Sequence, residues 1–295
     1  HGVENKVQRV DVVRFMNENS NEPAITSING RPRIIRRKTR SVRVRDLIIG
    51  SDGPLSVQSM CATKTQDLDA TNRQIKLLQE HGELLLFHFH QQLAKAVAPF
   101  VQKIRYNPGH LFHHEKDTPV SEKVKFIVNV AREHDLALRV GVNFGSLDPA
   151  QSEIQEDPIE AALMSAREHI GYLEDLGFTN YVVSLKSSDP NDVLDINTRF
   201  AASFPEIPLH LGVTEAGMLP MGEIKTRVAF ENLLARGVGD TLRVSLTLPH
   251  AEKHQEVLLA KRIIEDVYAG RFRSVPRFEH DGLNIISCPS CSRVE

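Results

Sequence analysis

Four cationic side chains, Arg105, Arg139, Lys186 and Arg243, stand at the ends of four separate β-branched runs. Brought to one place, they would repel one another unless an anion lay between them. A guanidinium grips phosphate oxygens through two parallel hydrogen bonds, and an ammonium acts as a point charge. A diphosphate is the economical ligand for such a group. The alternative is that each cation pairs with a nearby Asp or Glu. Asn107, Asn143 and Ser245 share the same run ends, and the two-residue period of a strand puts Ser245 on the face of Arg243. Glu215 is the exception in charge. It closes a run ahead of the glycine-bearing turn 212–217. A lone carboxylate among cations serves either as a general acid or base or as a salt-bridge partner, and the sequence leaves both open.

Two further groups could hold a metal. His88 and His90 form an H-x-H on one strand face, the beginning of a zinc site of the kind found in barrel hydrolases. Packed or solvated histidines are the competing reading, because no later strand offers a good complement. Cys288 and Cys291 form a C-x-x-C, which suits half a zinc site, a redox pair or part of an iron–sulfur site. The one other cysteine, Cys61, is more than two hundred positions away.

Positioning these residues requires a repeating framework, and one is visible. Short apolar runs at 54–60, 84–90, 101–107, 136–143, 180–188, 208–215 and 240–247 alternate with helical periodicity at 70–81, 92–99, 121–134, 159–176, 192–204, 223–236 and 251–269. Such alternation predicts a parallel sheet covered on both faces. Polar residues at the carboxyl ends of many strands favour a closed (β/α)8 TIM-type barrel, whose strand ends meet at one mouth. Seven strands are found where a barrel wants eight. The abrupt connection at Gly82–Leu84 suggests that one strand–helix unit is missing near residue 83.

The domains expected are a disordered lead-in at 1–30, a barrel with an N-terminal hairpin at 31–270, and a linker opening a further domain at 271–295. The stretch 31–45 is dense in Arg and Lys, read as a hairpin with a solvated basic face or as a phosphate or nucleic-acid patch. A net charge of −2 and the lack of interleaved aromatics argue against nucleic acid. No apolar run reaches the length of a membrane helix. Three cysteines are too few for a disulfide framework and fit a reducing cytoplasm.

Seven ordered segments resemble one known family: 57–60 with 63–65 and 69–71, then Lys103-Ile104-Arg105-Tyr106-Asn107-Pro108-Gly109, 139–147, 184–188, 209–217, 239–247 and Ser287-Cys288-Pro289-Ser290-Cys291. The family is the 4-hydroxy-3-methylbut-2-enyl diphosphate synthases of non-mevalonate isoprenoid biosynthesis. The resemblance implies a barrel followed by a domain carrying a 4Fe–4S cluster. The implied reaction is the two-electron reductive ring opening of 2-C-methyl-D-erythritol 2,4-cyclodiphosphate, with electrons from flavodoxin or ferredoxin. By the same resemblance Arg105, Arg139, Lys186, Arg243 and Ser245 would hold the diphosphate, and Asn107 and Asn143 would help position the substrate. Glu215 would donate a proton to the departing oxygen, and Cys288 and Cys291 would be two cluster ligands. A homodimer is also implied.

Two departures from the family accompany the match. The family's further cysteine and glutamate ligands are expected beyond Glu295, so the cluster domain reads as truncated. Between Gly82 and Gln91 the family runs a strand with a substrate-binding Arg, a helix and another strand, where this chain has only 83–90. A non-catalytic diphosphate-binding barrel is therefore the second reading of the chain, and a metal-dependent hydrolase the third.

Overall fold

Buried apolar residues along two central strands set the architecture. Residues 137–142 of one and 181–185 of the other are buried without interruption, the pattern of strands covered on both faces. The computed structural model describes residues 25–28, 31–59, 84–85, 87–88, 95, 98–113, 117–147 and 156–274. Cys61, His90, Cys288, Cys291 and the expected helix at 70–81 lie outside these residues, as do 1–24 of the expected lead-in and 275–295.

The strands are β1 (Ile25–Ile28), β2 (Arg31–Ile34), β3 (Val42–Val44), β4 (Leu47–Ile49), β5 (Ser56–Ser59), β6 (Leu84–Leu85), β7 (Phe87–His88), β8 (Lys103–Tyr106), β9 (Ala137–Asn143), β10 (Tyr181–Lys186), β11 (His210–Leu211) and β12 (Thr241–Leu242). The helices are α1 (Pro108–His113), α2 (Val120–Glu133), α3 (Pro158–Asp175), α4 (Pro190–Ser203), α5 (Met221–Ala235) and α6 (His254–Tyr268). Strand–helix alternation is therefore as expected. Aspartates start α3 and α4: Asp157 and Asp189 accept from the backbone N–H groups of Ile159 and Asn191, each with proline opening the helix.

The strands of the expected barrel do not form one continuous ladder. They make two four-stranded parallel sheets, in the orders β10-β9-β8-β7 and β11-β12-β5-β6. One bridge, Val183 with Leu209, connects them on one side. On the other side the short segment 84–88 gives β6 to one sheet and β7 to the other. One stretch of five residues thus serves both sheets where two strands and an intervening helix were expected from the barrel count. Strands β11 and β12 are also shorter than predicted. Beyond Leu211 and Leu242 the backbone leaves the regular ladder, and its N–H groups pair across the strand ends: Thr214 with the Ser187 carbonyl and Ala216 with that of Ser245.

Within the basic stretch 31–45, Lys38, Arg43 and Arg45 are exposed, while Arg36, Arg37 and Arg40 make local contacts. Arg36 donates to the carbonyls of Gly50 and Gly53 and to Asp240, and Arg37 to those of Phe204, Pro205 and Ile207. Thr39 and the Leu209 N–H complete the bonds to the Asp240 carboxylate. Arg40 lies over the Tyr181 ring at 4.2 Å and pairs with Glu174. These cations satisfy the loops at the amino ends of the strands. There the hairpin β3–β4 packs Val42, Val44 and Ile49 against Ala137 and Val182. A second hairpin, β1–β2, starts at Ile25, inside the expected lead-in.

His169 on α3 is buried beside Tyr106 and Tyr172. Burial lowers its pKa from 6.5 to about 4. The unfolded chain therefore takes up this proton first as pH falls. Its contribution to stability is complete above pH 6.5 and lost on the way down to about 4. The loss amounts to about 3 kcal/mol. Urea unfolding at pH 7 and pH 4.5 checks this, and His169→Phe should flatten that part of the pH dependence.

Candidate active site

Strand register brings the predicted cations together. Arg105 on β8 lies level with Arg139 on β9, Ser184 on β10 with Gly141, and Lys186 with Asn143. Period two then places Lys103, Arg105, Arg139, Gly141, Asn143, Ser184 and Lys186 on one face. The amino end of that face is where Ala137 and Val182 meet the hairpin, so its carboxyl end is the open one. From the second sheet, His210 and Thr241 are in register, with Arg243 two residues beyond Thr241. Lys103 reaches across to Gln58 on β5, its Nζ 3.2 Å from the amide oxygen.

Two glycines let the long cations cross their neighbours. The Arg105 guanidinium runs over Gly141, donating from Nη2 to its carbonyl at 2.9 Å, and a Cβ on Gly141 would collide with it. A Cβ on Gly212 would lie 2.6 Å from Lys186 Nζ and 3.1 Å from the Arg243 carbonyl oxygen. Gly212→Ala should therefore expel the Lys186 ammonium from its place. We expect anion affinity to fall at least about tenfold, the equivalent of one displaced charge contact. The thermal transition should change little, because a flexible side-chain end can move aside. Titration with the anion and thermal unfolding read the two effects separately.

The electrostatics of this face are one-sided. Arg139 and Lys103 are almost wholly buried, while Arg105, Lys186 and Arg243 are half-buried. Burial and then Arg243 lower the Arg105 pKa to about 10, so it stays charged at neutral pH. Burial, then Arg105 and Arg243, push Arg139 down. Lys186 is pushed well below its usual range by burial and then by Arg139, Arg243, Arg105 and Lys103. Burial also lowers Arg243, against which the charge of Glu256 on α6 acts. Among the described residues, no salt bridge joins Lys103, Arg139, Lys186 or Arg243 to a carboxylate. Buried N–H groups are left over: Nε and Nη1 of Arg139, Nε of Arg243 and Nε2 of Gln58 have no hydrogen-bond partner among the described residues. Buried donors of this kind are costly unless a ligand takes them up. An anion with several oxygens meets that requirement.

Glu215 sits at the rim. It is exposed and holds a left-handed backbone with φ 51°. Hydrogen bonds on either side, Thr214 N–H to Ser187 and Ala216 N–H to Ser245, fix its loop between two strand ends. Among the described residues its carboxylate makes no salt bridge to any of the clamp cations. Asn107 stands at the end of β8: its oxygen accepts from the Gly109 N–H at the start of α1, and its Nδ2 donates to Ser146 Oγ. It orders the mouth by tying α1 to the turn after β9. His110 lies on this short helix, opened by Pro108. Asn143 and Ser245 are half-buried at the same strand ends. His88 is described by its backbone, level with Arg105.

Three interior residues were not singled out from the sequence as site members: Lys103, Gln58 and His210. Counting back two residues from Arg105 would have found Lys103. His210 is fully buried, and neither ring nitrogen has a partner among the described residues.

Comparison with known proteins agrees with the resemblance. The family model described as the GcpE TIM-barrel domain matches residues 39–86 and 84–261. The two blocks meet at the segment shared by the two sheets. The 4-hydroxy-3-methylbut-2-en-1-yl diphosphate synthase (flavodoxin) of Rhodopirellula baltica is 48% identical over 292 positions, covering 89% of this chain and 76% of that protein. Since 89% of 295 residues is fewer than 292, about 30 of those positions have no counterpart here, close to one strand–helix unit. The enzyme of the same name from Campylobacter curvus is 35% identical, covering 88% of this chain and 76% of its own. Among solved structures, a truncated 3-deoxy-D-arabino-heptulosonate 7-phosphate synthase from Thermotoga maritima aligns with 79% of this chain and 94% of its own. Its TM-score of 0.46 and 11% identity are too distant to carry any inference. The chain belongs to the GcpE family of 4-hydroxy-3-methylbut-2-en-1-yl diphosphate synthases.

Proposed function

We propose that this chain catalyses the reductive ring opening of 2-C-methyl-D-erythritol 2,4-cyclodiphosphate to 4-hydroxy-3-methylbut-2-enyl diphosphate, with flavodoxin as electron donor. The observation that carries the reading is that, among the described residues, the interior cations Arg139, Lys186 and Arg243 make no salt bridge to a carboxylate, and that Arg139 and Arg243 keep buried N–H groups suited to a diphosphate. Arg105, Arg139, Lys186 and Arg243 bind the phosphates, with Ser245 and Asn143 beside them at the strand ends. Held there, the carbon skeleton of the ring is presented toward the rim, and orientation of this kind lowers the barrier before any bond breaks. Glu215 gives its proton to the departing oxygen, which leaves as water. A homodimer belongs to the same reading.

Cys288 and Cys291 provide thiolates, the donor type that a 4Fe–4S cluster takes, and would be two of its ligands. When bound, the cluster supplies the electrons singly at low potential. The route toward these cysteines starts from a fixed point. Glu231 on α5 is wholly buried and accepts from the N–H groups of Arg273 and Ser274 and from the Ser274 hydroxyl, and it is itself held by Arg227.

The shared segment 84–88 favours a second reading, a barrel that binds the diphosphate without turning it over. Calorimetric titration with the cyclic diphosphate, followed by anaerobic reconstitution with iron and sulfide and a reduced-flavodoxin assay, separates the two. Binding with product formation supports the enzyme. Binding alone supports the second reading, and absence of binding overturns both.

A further inference from the structure

Beneath the clamp at the mouth lies a second polar group that binding of a diphosphate does not by itself explain. Lys103, Gln58, Arg139 and His210 come from β8, β5, β9 and β11 and are all nearly or completely buried. Within the described residues, Lys103 Nζ bonds only the Gln58 amide oxygen. Gln58 Nε2 and both nitrogens of His210 have no partner. The groups around Lys103 are Gln58 on β5, Arg139 on β9, Lys186 on β10 and His210 on β11, with Arg105 two residues along its own strand and Arg243 just past the end of β12. His88 on β7 is in backbone register with Arg105. Glu256 on α6 acts on Arg243 and is itself held by the Leu246 N–H and by Lys253.

Six potential positive charges in one interior cannot all persist without counterions, because each pair repels strongly at low dielectric. The arginines keep their protons. The amines and the imidazole can release theirs, and only they can relieve the repulsion. We propose that binding of the anionic substrate draws a proton from solvent onto the buried interior of this barrel, chiefly onto Lys103 Nζ, so that the positive charge of the clamp is completed as the anion arrives. The inference rests on the diphosphate reading of the site. No bond to carbon or phosphorus changes: one proton moves from water or buffer to an amine lone pair.

The direction of the shifts agrees. Burial and then Arg139 push Lys103 well below its usual range, and burial followed by Lys186, Arg139, Lys103 and Arg243 does the same to His210. A bound anion acts in the opposite sense and raises the Lys103 pKa. Uptake is therefore confined to the pH interval between the free and bound values. Below that interval Lys103 is already protonated, and above it Lys103 stays neutral even with the anion bound.

The test is calorimetric titration of the full chain with the cyclic diphosphate at pH 8, in buffers that differ in ionisation enthalpy. That ligand has no group titrating near pH 8, so the dependence of the heat on the buffer counts protons taken up by the protein. The expected result is about half to one proton per anion bound, declining as the pH is lowered. Lys103→Met, which keeps the length of the side chain, should bind within about tenfold of the parent and lose at least half of that uptake. A buffer-independent heat in the parent protein overturns the proposal, whether or not the variant folds. Uptake unchanged in a folded Lys103→Met protein overturns the assignment to Lys103. Absence of any binding heat overturns the diphosphate reading itself, and the inference with it.

Discussion

Replacing Arg139 with methionine should weaken cyclic diphosphate binding and at the same time stabilise the ligand-free protein. Arg139 is 2% exposed, and its Nε and Nη1 have no partner among the described residues. Without an anion its charge is a net cost, made larger by Arg105 and Arg243 close by. An apolar side chain of similar volume removes that cost, and exchanges of this kind stabilise by about 1–4 kcal/mol. With the anion present the sign reverses. Removing one member of a buried charge pair costs about 2–5 kcal/mol, or roughly 30- to 4,000-fold in Kd. An arginine whose role is only to hold the fold would lose stability on replacement and leave affinity largely alone. Chemical denaturation of the ligand-free variant and calorimetric titration with the cyclic diphosphate measure the two quantities. A variant that is both less stable and equally tight in binding would defeat the assignment of Arg139 to the clamp.

The second large effect is expected at the rim. Glu215→Gln should lower kcat by about 100- to 10,000-fold, the range for loss of a general acid, in reconstituted enzyme with reduced flavodoxin. Affinity for the cyclic diphosphate should stay the same or rise slightly, because a negative charge near an anion site has been removed. The fold should not suffer, since the Glu215 side chain is exposed and has no partner among the described residues. Its backbone is a cost instead. A left-handed residue other than glycine or asparagine is strained by about 1–2 kcal/mol. Glu215→Gly should therefore raise stability by about that amount while reducing turnover as much as the glutamine variant does. Such strain is kept where surrounding structure holds a residue in place for a task. Here the Ser187 and Ser245 carbonyls hold the loop. If Glu215→Gln kept full turnover, the proton donor would have to be sought elsewhere on the rim.

Much of this was written in local patterns. The alternation of β-branched runs with helical periods located β8, β9, β10 and helices α2 to α6 to within a few residues, because each of these elements carries its own hydrophobic repeat and its own start signal. Asp157-Pro158 and Asp189-Pro190 are such signals, and their caps are formed as the residue types dictate. The short strands β11 and β12 were overextended. Their downstream residues are as apolar as a strand requires, but their N–H groups are drawn to carbonyls of neighbouring strand ends, and no local pattern records that competition. Helix α1 escapes a local reading for a related reason: the Asn107 side chain caps the following turn, a contact that no hydrophobic repeat records. The hairpin β1–β2 could have been found from Asn29-Gly30, a strong turn signal between two runs with apolar residues.

By itself, the sequence determined which residue types stand at the strand ends, the alternating framework and the family, since these depend on neighbours along the chain and on order. It also marked the place of the missing unit, at the abrupt Gly82–Leu84 connection. Tertiary structure alone decided how the chain bridges that place, with one segment pairing to both sheets. Only in three dimensions do Arg36, Arg37 and Thr39 turn from a basic run into the fastening of the amino ends around Asp240. Likewise, only strand register shows that Lys103 and His210 lie under the same cations, while Glu215 stays clear of them. The physical reason is common to all three cases. Charge and hydrogen bonding act across space between residues far apart in sequence, and their energies are set by burial and register, which no single stretch of chain contains.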